Sequence, residues 1–155
     1  ARPDYRDESG FTALGAAALS GNTEIVKALL KAGADIDARS ATGNTPLIEA
    51  LALGRDAAAR VLIAGGADTR PLGRDGHPAL GIAAMRGDLT SLRLLLDHGA
   101  DPNALDRSHK PVLDLALLAE QRETVELLLA YGADPELLRT PLCAWIFNPK
   151  LSRCP

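Results

Sequence analysis

The stretch DESGFTALGAAALSGNTEIVKALLKAGADIDAR, residues 7–39, holds the pattern that decides the fold of this chain. Its tripeptide Gly-Ala-Asp, at residues 33–35, returns three more times at intervals of 33 residues. The same interval relates three further sets of positions: Leu14, Leu47, Leu80 and Leu113; Gly10, Gly43 and Gly76; and Gly21, Gly54 and Gly87. So many coincidences in one register establish an internal repeat, and a repeat determines the whole architecture of a chain.

Each period reads as two short helices and a turn. Thr12 lies just before the first helix, where its hydroxyl is suited to accept a hydrogen bond from a free backbone N–H. Gly21 is typical of the residue that ends a helix. The second helix, over about residues 23–32, carries an apolar stripe of Ile25, Val26, Leu29 and Leu30. Gly33 then ends that helix, and the chain extends toward the next unit.

This period resembles the ankyrin repeat, whose pattern reads Asp-x-x-Gly-x-Thr-Pro-Leu-His-x-Ala-Ala, then Gly, a Leu-Leu helix and Gly-Ala-Asp. The resemblance covers four repeats at about residues 7–39, 40–72, 73–105 and 106–138, followed by a half repeat or cap over 139–155. It implies an all-α fold, a solenoid of stacked helix-turn-helix units joined by hairpin fingers. The length of 155 residues suits a single domain, 1–155.

The chain departs from the family pattern at several positions. The usual His after Pro-Leu is replaced by Gly15, Ile48, Gly81 and Asp114. In the family that His ties neighbouring loops together, so these ties must come from other residues. The third and fourth repeats also have Pro78 and Pro111 in place of the capping Thr.

Two non-glycine residues occupy turn positions where the family has glycine. They are His109 and Glu120, and we expect His109 to strain its turn, since a positive φ is unfavourable for a residue with a Cβ. The segment 55–60, Arg-Asp-Ala-Ala-Ala-Arg, lacks bulky apolar residues. We therefore expect the second helix of repeat two to be the least well packed.

Composition excludes several classes of protein. Apolar residues make up 46% of the chain and the net charge is −3, which excludes bulk disorder and a strongly basic nucleic-acid binder. No apolar run approaches the ~20 residues that span a bilayer. We therefore expect a monomer that binds neither nucleic acid nor a membrane.

The C-terminal segment contains a fifth Thr-Pro-Leu, at residues 140–142, and two cysteines. We interpret it as a cap over the fourth repeat, because the last unit of a solenoid otherwise exposes its apolar side. Cys143 and Cys154 are suited to a disulfide that would hold the end of the chain to this cap. A disulfide would indicate an oxidising compartment, periplasmic or extracellular, whereas free thiols would indicate the cytoplasm.

Nothing in the sequence predicts catalysis, a metal or a cofactor. Ser108 and His109 are adjacent, but a catalytic site needs a nucleophile, a base and an orienting group that converge in a pocket. The glycines of 65–66 and 73–76 are explained by the repeat rather than by a phosphate-binding loop. We therefore expect a non-enzymatic protein, and the alternative of an enzyme or metal-dependent protein would require a deep polar pocket.

The resemblance implies that a protein partner binds at the concave face, which the fingers and first helices form. Mapped onto this chain, the predicted binding residues are Phe11, Leu19, Asn44, Leu53, Arg74, His77, Met85, Arg86, Arg107, Lys110 and Leu118. The leucines and Met85 would form an apolar row, with Phe11 exposed at its edge. The later fingers are rich in basic residues, Arg70 and His109 included, which favours a partner with an acidic patch.

Two roles for such a binding protein stay open at this point. The chain is either an extracytoplasmic inhibitor or self-protection protein that occludes an enzyme, or a cytosolic adaptor. The adaptor hypothesis predicts free thiols and no effect on the activity of the partner.

Overall fold

A computed structural model describes residues 4–138 of the chain, and within them the backbone forms eight α-helices and one short 3₁₀ turn. The helices are α1 (Ala13–Ser20), α2 (Thr23–Lys31), α3 (Pro46–Ala52), α4 (Asp56–Ala64), α5 (Ala79–Arg86), α6 (Leu89–Asp97), α7 (Val112–Leu118) and α8 (Arg122–Ala130), and the 3₁₀ turn is Pro135–Leu137. The predicted all-α repeat solenoid is confirmed.

The helices form two layers. In the inner layer α1, α3, α5 and α7 pack side by side, and in the outer layer α2, α4, α6 and α8 do the same. Within each repeat the inner helix also packs against the outer helix that follows it. The core lies between the layers and is built by residues one repeat apart, each at most 1% exposed: Leu14, Leu47, Leu80 and Leu113. Each buried leucine side chain contributes about 1.5–3 kcal/mol, so the repeated leucine holds the stack together.

The first two inner helices are capped as the sequence predicts. The Thr12 hydroxyl accepts a hydrogen bond from the Gly15 N–H at 3.1 Å, and Thr45 accepts one from Ile48 at 3.4 Å. Pro78 and Pro111 occupy the same position before α5 and α7 with similar backbone angles, and neither supplies a side-chain cap. The loss of the Thr cap in the third and fourth repeats is therefore confirmed.

Each inner helix is preceded by a tight hairpin, here called fingers one to four (residues 6–12, 39–45, 72–78 and 105–111). In finger one the Asp7 N–H donates to the Phe11 carbonyl and the Gly10 N–H donates to the Asp7 carbonyl, both at 2.9 Å. The equivalent pair of bonds recurs in all four fingers. The equivalent turn glycines of fingers one to three, Gly10, Gly43 and Gly76, have φ of 75–87°.

Both residues that replace a turn glycine adopt the left-handed conformation. His109, in finger four, has φ of 60°, and Glu120, between α7 and α8, has φ of 57°. The positive φ expected at His109 is confirmed, and Glu120 shares it. This conformation is costly for any residue with a Cβ, so strain at both positions stays a prediction.

The expectation about the second helix of repeat two is wrong. Four residues of α4 are at most 1% exposed: Ala58, Ala59, Leu62 and Ile63. The least buried outer helix is α2, where only Val26 is buried and Ile25 is 48% exposed. The reason is position in the stack: α4 packs between α2 and α6, and small alanines allow that close approach, whereas α2 has an outer-layer neighbour on one side only.

None of the helices in residues 4–138 is long and apolar enough to cross a membrane. The predicted cap over 139–155, with Cys143 and Cys154, lies outside the described residues.

Candidate functional site

A cavity of about 230 Å³ opens on the inner layer, where fingers two and three meet α3 and α5. Its apolar floor consists of Ile48, Ala52, Ile82 and Met85. Fingers and helix ends supply the polar lining: Asn44, Gly73, Arg74, Asp75, His77 and Arg86. Five of the predicted binding residues therefore come together in one depression: Asn44, Arg74, His77, Met85 and Arg86.

The structure brings one residue of the predicted apolar row, Met85, to the cavity. A step of 33 residues from Leu19 leads to Ala52, Met85 and Leu118, and it is Ala52 that lines the cavity. Leu53 lies one residue further, at the C-terminal cap of α3, where its side chain is 49% exposed. Leu118 is 58% exposed. Strict use of the repeat register would have placed Ala52 in the row from sequence alone.

Phe11 is not the exposed edge residue that the sequence predicts. It is half-buried, and its ring lies against Gly15 in the first turn of α1. The physical reason is that Gly15 replaces the usual His of the family pattern. The missing side chain leaves room that the phenyl ring fills.

Arginines tie the fingers to one another. In finger four, the guanidinium of Arg107 donates to the carbonyls of Arg74 and Gly73 at 3.1 and 3.2 Å, while its backbone N–H donates to Gly76 at 2.8 Å. The sequence predicts Arg107 as a binding residue, but its guanidinium forms hydrogen bonds within the protein.

Arginine side chains also form hydrogen bonds between the earlier fingers. Arg6 donates to the carbonyl of Arg39, and Arg39 donates in turn to the carbonyl of Leu72 at 3.3 Å. Each of these bonds reaches 33 residues along the chain, so it joins one finger to the next. Long arginine side chains therefore supply ties between neighbouring loops in a chain that lacks the family's His.

His77 and Lys110 are held near a buried carboxylate in finger four. Asp106 is 7% exposed, and its Oδ1 accepts hydrogen bonds from the backbone N–H groups of Ser108 and Lys110 at 2.7 and 2.9 Å. Its Oδ2 lies 3.7 Å from the Nδ1 of His77, beyond hydrogen-bond distance. His77 also lines the cavity, so its ring lies between Asp106 of finger four and the cavity.

Comparison with known families decides what kind of repeat this is. The family described as "Ankyrin repeats (3 copies)" matches residues 1–71 and 65–138. The chain belongs to the ankyrin repeat family. Ankyrin repeats generally mediate protein–protein interactions, and the proteins that contain them are typically non-enzymatic binding modules. Among the curated proteins no match is found.

Of the two arginines that line the cavity, Arg74 is more available to a partner than Arg86. Arg86 donates to the Leu51 carbonyl at 2.8 Å and to the Asp56 carboxylate at 3.1 Å, which neutralises part of its charge. Arg74 is exposed, and its hydrogen bonds to residues 4–138 involve its backbone: its N–H donates to Asn44 Oδ1 at 2.6 Å and its carbonyl accepts from Arg107. The guanidinium of Arg74 therefore stands at the rim of the cavity with its donors available.

Arg70 is not part of the groove. Its side chain pairs with Asp68 at 2.9 Å, and hydrogen bonds from that side chain, followed by the Arg70 backbone N–H, lower the pKa of the Asp68 carboxyl. The positions equivalent to Arg70 in the other repeats are Asp4, Asp37 and Asn103. The side-chain oxygen of each accepts a hydrogen bond, 2.7–2.8 Å long, from the backbone N–H of the Asp in a Gly-Ala-Asp tripeptide: Asp35, Asp68 and Asp134 respectively. Arginine has no acceptor, so this tie is missing at the third repeat.

No group of three or more His, Cys, Asp or Glu residues within 4–138 is arranged to hold a metal ion. Apart from the carboxylate of Asp75, the polar side chains of the cavity carry hydrogen-bond donors: Asn44, Arg74, His77 and Arg86. The arrangement is chemically suited to bind a protein surface that is apolar at its centre.

Proposed function

We propose that this ankyrin repeat protein binds another protein through the concave face formed by its inner helices and fingers. The observation that carries the proposal is the cavity with an apolar floor between α3 and α5. Leu53 and Leu118, at the C-terminal ends of the inner helices α3 and α7, add exposed apolar side chains to the inner layer. Exposed apolar surface bordered by polar residues is typical of protein interfaces.

Rigidity supports the same proposal. The inner helices that carry the site are packed on both sides in the middle of the stack, and hydrogen bonds between fingers hold the loops in place. A preorganised surface loses little conformational entropy when it binds. The exposed cation of Arg74 and the basic residues of finger four favour a partner with an acidic patch, which would raise the association rate.

The proposal is tested by a pair of matched double variants used as bait in the host lysate. Leu53→Glu with Leu118→Glu places charges on the inner layer, whereas Ile25→Glu with Leu89→Glu changes exposed residues of the outer layer. We expect a specific partner to be captured by the wild type and by the outer variant and to be lost with the inner variant. Loss with the outer variant alone would contradict the proposal.

A sharper form of the proposal is that the partner is an enzyme, which the chain occludes as an extracytoplasmic inhibitor. Its support is the pair Cys143 and Cys154, whose disulfide would indicate an oxidising compartment. The test is the intact mass of protein from its host, alkylated before and after reduction. Thiols that react only after reduction support this form, and thiols that react at once support the cytosolic adaptor.

A further inference from the structure

We infer that the cavity accepts one bulky apolar side chain of the partner, with a single Asp or Glu beside it bound by Arg74 and Asn44. The inference rests on the proposed function and specifies the chemistry of the segment that is bound. It predicts a short, partly acidic peptide segment rather than a broad flat surface as the central contact.

The size and the apolar floor of the cavity indicate which apolar side chain of the partner segment it accepts. Its volume of about 230 Å³ is below the roughly 300–1,000 Å³ of pockets that hold drug-sized ligands. A space of this size suits one side chain such as Leu, Met or Phe. Ile48 and Ile82 give the floor a fixed shape, and Met85, whose side chain is flexible, adapts to the occupant.

The donors at the rim determine the acidic part. Asn44 Oδ1 already accepts the Arg74 N–H, which leaves the two N–H donors of the Asn44 amide for a partner. The exposed guanidinium of Arg74 adds a fork of donors that matches a carboxylate. A carboxylate accepts from both groups, whereas a cation would be repelled by Arg74.

The other charged residues around the cavity favour a partner segment with one acidic residue rather than several. Arg74 can pair with one acid, which offsets repulsion from Asp75, the one carboxylate among the residues that line the cavity; a second acid would meet that repulsion without an available arginine. Arg86 is already bonded to Asp56, and His77 faces Asp106. A run of acidic residues is therefore disfavoured relative to a single one.

The probe is a phage-displayed library of random 12-residue peptides selected against the full chain. We expect enrichment of peptides with one Leu, Ile, Met or Phe and an Asp or Glu within two residues of it. Synthetic copies of the enriched peptides are then measured against variants by fluorescence anisotropy.

Two pairs of variants separate the apolar part from the acidic part. Ala52→Phe fills the cavity from its floor, and Ala57→Phe adds the same side chain on the exposed face of α4. Arg74→Glu reverses the charge at the rim, and Arg60→Glu reverses an exposed charge of α4. We expect at least a tenfold loss of peptide affinity with Ala52→Phe and with Arg74→Glu, and less than a twofold change with either control.

Enrichment of no peptide, of peptides without an acid, or of peptides whose affinity is unchanged by Ala52→Phe would overturn the inference. These failures are distinct from failure of the proposed function. If a folded partner loses binding to the Leu53→Glu, Leu118→Glu variant and keeps it with Ala52→Phe, the concave face binds and the cavity is not the anchor.

Discussion

Replacing His109 and Glu120 by glycine is expected to stabilise the protein. Both residues hold a positive φ, and His109 occupies the position where Gly10, Gly43 and Gly76 stand in the other fingers. The left-handed conformation costs a non-glycine residue about 1–2 kcal/mol. Glycine loses more backbone freedom on folding, an opposing cost of about 0.5–1 kcal/mol.

The net gain is therefore about 0.5–1 kcal/mol for each replacement. Histidine tolerates this conformation better than most residues, so His109→Gly should lie at the lower end and Glu120→Gly at the upper end. The two positions flank the seven residues of α7, which span roughly 10 Å, and their effects should add. The double variant should gain about 1.5 kcal/mol, which corresponds to a rise in Tm of roughly 3–6 °C.

The assay is urea unfolding followed by circular dichroism, with the m value required to stay constant. Gly43→His is the reverse control, because a Cβ added at Gly43 would meet no heavy atom within 4 Å and the cost is purely conformational. It should destabilise the protein by about 0.5 kcal/mol, the same net value with the opposite sign as for His109→Gly. If His109→Gly and Glu120→Gly leave stability unchanged or lower it while Gly43→His is costly, the reasoning about strain is refuted.

Three further predictions concern single side chains. Arg107→Ala removes both guanidinium bonds to finger three and should lower the free energy of unfolding by about 1 kcal/mol in urea titrations. Thr124→Val removes a buried hydroxyl that has no hydrogen-bond partner within residues 4–138, and it should raise stability by about 1 kcal/mol in the same assay. The Tyr131 hydroxyl donates a 2.6 Å hydrogen bond to Asp97, and this bond raises the pKa of Tyr131. In a Tyr5→Phe background, the absorbance of the Tyr131 phenolate should therefore appear at a higher pH with Asp97 present than after Asp97→Asn. The stability from this bond is complete below the ordinary tyrosine pKa and is lost as pH rises through the raised value.

Each of these predictions has a matched control or an opposing result. Arg60→Ala changes an exposed arginine of α4 and should shift stability by less than about 0.5 kcal/mol; an equal effect at Arg107 would contradict its role as a tie. Thr12→Val removes a hydroxyl that caps α1 and should destabilise, so the same substitution has opposite signs at Thr12 and Thr124. An unchanged titration of Tyr131 after Asp97→Asn would show that the bond does not form in solution.

The features that the sequence predicted well are those set by local chemistry and by the repeat interval. The helix ends at Gly21 and Gly87, the Thr caps and the positive φ at His109 each depend on one or two residues and their neighbours. The 33-residue register then extends them to the whole described chain. Backbone conformation and repeat order therefore follow from the amino-acid sequence alone.

The features that could not be predicted depend on contacts between repeats. Arg107 is a basic finger residue in the sequence, and only the stacking of fingers three and four shows that its guanidinium bonds to carbonyls. Phe11 is half-buried because its ring packs against Gly15 in the first turn of α1. α4 is well packed because helices flank it on both sides of the outer layer, which compensates for its small side chains.

The most direct test of the binding face is site-specific photo-crosslinking in host lysate. A photoreactive phenylalanine analogue is introduced at Leu53, on the inner layer, or at Ile25, on the outer layer, two positions of nearly equal exposure at 49% and 48%. We expect a discrete crosslinked partner from position 53 and none from position 25. A discrete partner from position 25, with none from position 53, would contradict binding through the concave face.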